Sequence, residues 1–186
     1  TVVDDWAARA IDPTQSVVEG SVVVMASPEA LGSIDTARSD GATLADDADV
    51  VASLALLDAH GAYRFTYGNR PVEGFDTTIE VAAPALVPYE SYATGIALED
   101  GTHLNILVLG HSDGDAAEAN ADRLRSVFES GQARELGEPW SDVFTVRSVE
   151  VVGVHTVAVV EPLTRPTALD DSVLMGDSLL LVGTAD

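Results

Sequence analysis

The 186 residues carry 31 acidic side chains against nine basic ones, a formal net charge of −22, and every basic residue is arginine. Such a chain lacks the basic patch that nucleic acid or an anionic membrane surface requires, and with no cysteine it has no disulfide, thiolate nucleophile or thiolate metal ligand. At 46% hydrophobic residues one substantial core is affordable, so a single domain over 1–186 is expected, with two halves, 1–84 and 88–186, and no run approaches the roughly 18 apolar residues of a membrane span.

The acid excess resembles that of proteins from salt-loving microbes, whose self-repulsion is relieved when salt shortens the Debye length. A GC-rich genome, which replaces lysine with arginine, is the competing account.

In chain order, Asp4 or Asp5 can cap a short helix over 6–10, with Trp6 as a core anchor, before Pro13. The β-branched run 16–26 predicts one buried strand with a bulge at Gly20. Ser27-Pro28-Glu29 opens a helix that ends before Gly41. Val50 to Leu57 fits a strand or the apolar face of a helix. The turn signature Asp58-Ala59-His60-Gly61, followed by Tyr63, Phe65 and Tyr67 alternating with Arg64 and Thr66, tips the expectation to a hairpin. A short strand over 77–81 precedes the connection Pro84 to Pro88.

Tyr92 to Leu98 should pair across Glu99-Asp100-Gly101-Thr102 with Leu104 to Leu109, since Asp-Gly between apolar runs is a strong hairpin signal. Leu104, Ile106 and Val108 line one face and Leu107 and Leu109 the other, as in an interior strand. Asp113 or Asp115 can cap the next helix, Asp115 and Glu118 have capping-box spacing, and Ala117, Ala121, Leu124, Val127 and Phe128 form one apolar stripe ending at Gly131. Trp140 should pack over an edge of the sheet. Phe144 to Val152 and Val154 to Val160 form a strand pair around Gly153, and 170–175 with 179–182 a last short hairpin or strand. The fold class is therefore α+β: a largely antiparallel sheet built from hairpins with two main helices packed on it. A ferredoxin-like or duplicated β-α-β-β arrangement is the specific expectation.

Gly110-His111-Ser112-Asp113-Gly114 spells G-x-S-x-G between a strand and a helix. This stretch resembles the nucleophile elbow of the α/β-hydrolase family. The resemblance implies Ser112 as nucleophile, His155 as its base and Asp142 as the orienting acid. An antiparallel partner for the central strand, and the absence of a glycine-rich oxyanion loop before it, weigh toward a turn that merely caps a helix.

His111, Asp113 and Asp115 offer imidazole and carboxylate ligands in one loop, at a spacing that matches no full EF-hand; weak cation or small-ligand binding is the expectation there. Tyr63, Phe65 and Tyr67 supply aromatic area with polar handles, suited either to core or to a recognition stripe. With no intact catalytic set and no cofactor fingerprint, the leading expectation is a non-catalytic structural or protein-interaction domain. It would self-associate or contact a protein partner, as part of a larger or extracytoplasmic assembly, with no cofactor.

Overall fold

The computed structural model describes residues 16–19, 22–25, 46–69, 86–133 and 137–174. The chain divides into two compact units, Thr1–Asp47 and Ala48–Asp186. The helices expected over 6–10 and from Ser27, the strands at 77–81 and 179–182, and the first two residues of the connection 84–88 lie outside the described residues.

In the first unit, β1 (Ser16–Glu19) pairs antiparallel with β2 (Val22–Met25), Ser16 opposite Met25 and Glu19 opposite Val22. The run expected as one bulged strand is thus a hairpin. A glycine inside a β-branched run is as compatible with two strands as with one irregular strand, so the run alone does not decide between them.

The second unit opens with α1 (Ala48–Ala59), followed by β3 (Ala62–Gly68), β4 (Ser91–Glu99), β5 (Thr102–Gly110) and α2 (Gly114–Ser130). A two-residue ladder of β6 (Gln132–Ala133) with β7 (Glu138–Pro139) leads into the single turn α3 (Trp140–Val143), then β8 (Phe144–Val152), β9 (His155–Pro162) and α4 (Ala168–Leu174). Five strands form one sheet in the order β3-β4-β5-β9-β8, with every neighbour antiparallel. This is the α+β architecture that the hairpin signals predict. The chain leaves central β5, crosses one face through α2, returns on the outer strand β8 and turns back so that β9 lies beside β5.

Two expected strands are helices. Val50 to Leu57 belongs to α1, because Ala52, Leu54, Ala55, Leu56 and Leu57 are strong helix formers and only Val50 and Val51 are β-branched. The supposed hairpin turn is the helix stop: His60 N donates to Leu57 O, Gly61 N donates to Asp58 O, and Gly61 has φ +70°. The stretch from Asp170 is α4, held at its start by a residue far away in sequence. Asn105 Nδ2 donates to Pro166 O at 2.7 Å, its Oδ1 accepts from Leu169 N at 3.2 Å, and Thr94 Oγ1 donates to Asp170 Oδ1 at 2.6 Å.

Alternation on the strands separates two cores. On one face Ala93, Ala97, Ile106, Val108, Val157 and Val159 pack with Leu57 of α1. On the other, Leu107, Leu109, Ala158 and Val160 meet the α2 stripe Ala121, Leu124, Val127 and Phe128 together with Leu169 and Val173. Each buried aliphatic or aromatic side chain contributes about 1.5–3 kcal/mol relative to exposure, so the α2 stripe alone fixes that helix on the sheet. Trp140 lies inside this core instead of over a sheet edge. It stacks on Phe144 with centroids 5.7 Å apart, while Phe128 meets Phe144 edge-on.

Candidate functional site

The polar side chains that the fold gathers lie at one end of the sheet, where Ser91 of β4 is opposite Gly110 of β5 and Gly110 is opposite His155 of β9. All three share a face with Ala93, Val108 and Val157, two residues further along their strands, and so look toward α1. Gly110 has no side chain, which leaves a gap in the row. Asp49, in the first turn of α1, puts its carboxylate there: a Cβ built on Gly110 would collide with Ser91 Oγ and come within 2.7 Å of Asp49 Oδ1.

The carboxylate is firmly held from two sides. Tyr67 Oη donates to Asp49 Oδ2 at 2.9 Å and His155 Nε2 donates to Oδ1 at 3.1 Å. Burial pushes the Asp49 carboxyl up, but the Ser91 hydroxyl, the Tyr67 and His155 hydrogen bonds and the charge on His155 together outweigh it and hold the group below its ordinary value. Ser91 Oγ is buried and makes no hydrogen bond of ordinary geometry, so Tyr67 and His155 are the firm partners and Ser91 acts as a nearby dipole.

A second network adjoins the first. His111 follows β5 and is buried. Its backbone N–H and its Nδ1 both donate to Val154 O at 3.1 Å, and its Nε2 accepts from Asn120 Nδ2 at 2.9 Å. A carbonyl only accepts, which assigns the proton to Nδ1 and leaves the Nε2 lone pair for Asn120. Asn120 in turn clasps Val87 both ways: Val87 N donates to Oδ1 at 2.8 Å and Nδ2 donates to Val87 O at 3.0 Å. Burial, opposed by the hydrogen bond to Val154, holds the His111 imidazole below its ordinary value, and nearby His155 adds to the lowering.

Ser112 is exposed and its hydroxyl donates to Asp113 Oδ2 at 3.4 Å, while Asp113 Oδ1 accepts from Ala116 N at 2.9 Å as the cap of α2. His155, the base that the elbow resemblance implies, bonds Asp49, whereas Asp142 is exposed on α3. Asp115 is also exposed, and both ring nitrogens of His111 are engaged as described; among the described residues no group of three or more histidine, aspartate or glutamate side chains is arranged to hold a metal ion. Of the aromatic stripe, Tyr67 turns to Asp49, whereas Phe65 and Tyr63 stay 57% and 62% exposed, Tyr63 beside a bulge in the outer strand β3. Sequence reasoning assigned no site role to Asp49, Ser91 or Asn120, and used Gly110 only as the first glycine of the G-x-S-x-G turn. Only Asn120 left a signal, as a polar residue within the apolar stripe of α2. No protein family matches this sequence, and no curated protein and no solved structure is significantly similar to it.

Proposed function

We propose that this chain is a protein-interaction domain, a subunit of a larger assembly working at high salt, which seats its partner on the face formed by α1 and the outer strand β3. The observation that carries this reading is the composition of α1. Between Asp49 and Asp58 the helix bears no charge on any side, in a protein with 22% charged residues. A helix apolar around its whole circumference is ordinarily covered on all sides. Here Val50, Ser53 and Leu57 face the sheet, while Val51 is 48% exposed and Ala55 lies open one turn beyond it.

The apolar surface continues from α1 onto β3. Phe65 is opposite Gly95, and Leu57 of α1 packs over that glycine, within 2.9 Å of where its Cβ would lie. Exposed aromatic side chains beside an uncharged helix have the character of an interface centre, whose burial excludes water and carries most of the binding energy. The hydrolase reading has less support: the Ser112 hydroxyl goes to Asp113, and β5 runs antiparallel to both neighbours.

The test is site-specific photocrosslinking in cells, with the crosslinker at Phe65 or, as control, at exposed Glu129 on α2. A discrete product from position 65 alone, lost on Val51→Asp, is expected. Equal products from both positions, or none from position 65, would reject the interface.

A further inference from the structure

We propose that His111 is a proton-sensing pin: neutral, it locks the entry to β4 and the β8–β9 turn onto α2, and a second proton on its ring releases them. The inference does not rest on the α1–β3 interface.

The donor pattern leaves no room for that proton. Nδ1 is committed to Val154 O, so a second proton goes to Nε2, where it meets the Nδ2 amino group of Asn120 at 2.9 Å. Two donors would then point at each other. The Asn120 amide cannot turn over to offer its oxygen, because Oδ1 already accepts from Val87 N and Nδ2 donates to Val87 O. A flipped amide would set donor against donor and acceptor against acceptor at Val87. Asn120 is fully buried, so no water replaces the lost partner without opening the contact.

Among the described residues, two charged groups act on the ring. His155 at the start of β9 opposes a positive charge on His111, Asp113 before α2 favours one, and burial adds to the opposition. Asp49 acts only one step away, through its bond to His155. The sign follows: the folded form binds the proton less well than the open form, so the pinned state is fully favoured above the ordinary imidazole value near 6.5 and loses ground as pH falls below it. The segment freed is the one that places Leu86 and Tyr89 in the core and runs into Ser91, so opening reaches the Asp49 carboxylate and, through Tyr67, strand β3.

The Val87 amide, donated to Asn120, is the reporter. Corrected for intrinsic rate, its hydrogen exchange should rise up to about tenfold between pH 7.5 and 5.5, the factor that one pH unit below 6.5 allows. His111→Gln should make Val87 opening independent of pH over that range. Asn120→Asp, which puts a carboxylate opposite Nε2, should reverse the direction so that acid protects. In the unmodified protein, ring 15N shifts should show an Nδ1–H tautomer that titrates below 6.5. Exchange at Val87 that ignores pH, a dependence that survives His111→Gln, or an Nε2–H tautomer would each overturn the proposal, and the ring shifts decide it even where a variant does not fold.

Discussion

Asp49 and His155 are 106 positions apart in the chain and meet at 3.1 Å, over the one residue in that row of the sheet that has no side chain, Gly110. In a serine-protease triad the imidazole stands between hydroxyl and carboxylate. Here the carboxylate is central, with Ser91 on one side, His155 on the other and Tyr67 above. An imidazole bonded to a carboxylate and separated from the hydroxyl by it cannot take the serine proton, so the cluster acts as a clasp that fixes the start of α1 to β3 and β9.

The clasp makes Gly110 irreplaceable on steric grounds. Gly110→Ala places a methyl against Ser91 Oγ and 2.7 Å from Asp49 Oδ1, and such overpacking typically costs about 1–3 kcal/mol. Adding Ser91→Ala removes one of the two colliding atoms. Urea unfolding should therefore give a double mutant more stable than the two single losses summed; strict additivity would mean that the two residues do not share the gap.

Acid should undo the same clasp through Asp49. Its folded carboxyl titrates below its unfolded value, so its contribution is complete above the ordinary aspartate range near 4 and disappears as pH falls through the folded value. Asp49→Asn, which keeps the shape and loses the charge, should lower stability at neutral pH and flatten the decline between about pH 5 and pH 3. Its side chain is 36% exposed, so solvent screens the effect and a modest flattening is expected. A variant as acid-sensitive as the parent would remove Asp49 from this role.

The residues of that clasp show why part of the fold could be read from sequence and the site could not. Hairpins at Asp100-Gly101 and Gly153, the interior character of Leu104 to Leu109 and the stripe of α2 are local patterns, written within ten or so residues and decided by side-chain period. The choice between strand and helix for α1 was not local. Its apolar run satisfies both periods, and a turn signature after it ends a helix as well as it opens a hairpin. Helix α4 depends on Asn105, more than sixty residues earlier. Asp49 and Ser91 belong to no motif and Gly110 reads only as the first glycine of G-x-S-x-G, because a glycine under a carboxylate becomes meaningful only once three strands are in register. The G-x-S-x-G stretch has the opposite character: a complete local pattern whose serine the fold sets beside its own neighbour.

That placement predicts unequal effects from two adjacent residues. Asp113 accepts from Ala116 N, so Asp113→Ala should cost roughly 1 kcal/mol through the lost cap of α2. Ser112 is exposed with one long contact to Asp113, and Ser112→Ala should stay within about 0.5 kcal/mol. Chemical denaturation separates the two, and ester hydrolysis should be the same in Ser112→Ala as in the parent. An activity lost with that serine would restore the hydrolase reading and weaken the interaction domain proposed here.

The charge excess predicts the response to salt. Three of the described ion pairs, Arg147 with Glu161, Arg125 with Asp122 and Arg165 with Asp171, join partly exposed groups, and such pairs are each worth at most about 1 kcal/mol, which salt reduces. Against them stands the repulsion of a net −22, spread over the whole surface and also screened by salt. Raising salt from about 0.1 M to about 1 M shortens the Debye length from about 10 Å to about 3 Å, which removes most of the repulsion while giving up only a few weak attractions. The thermal midpoint should therefore climb steeply over that interval and level off once screening is complete. Salt also strengthens apolar burial when its ions are excluded from the surface, but that contribution continues to grow with concentration. A midpoint that rises and then plateaus near molar salt identifies screening; one that stays flat or falls would assign the arginine-only, acid-rich composition to genome bias, with no adaptation to salt behind it.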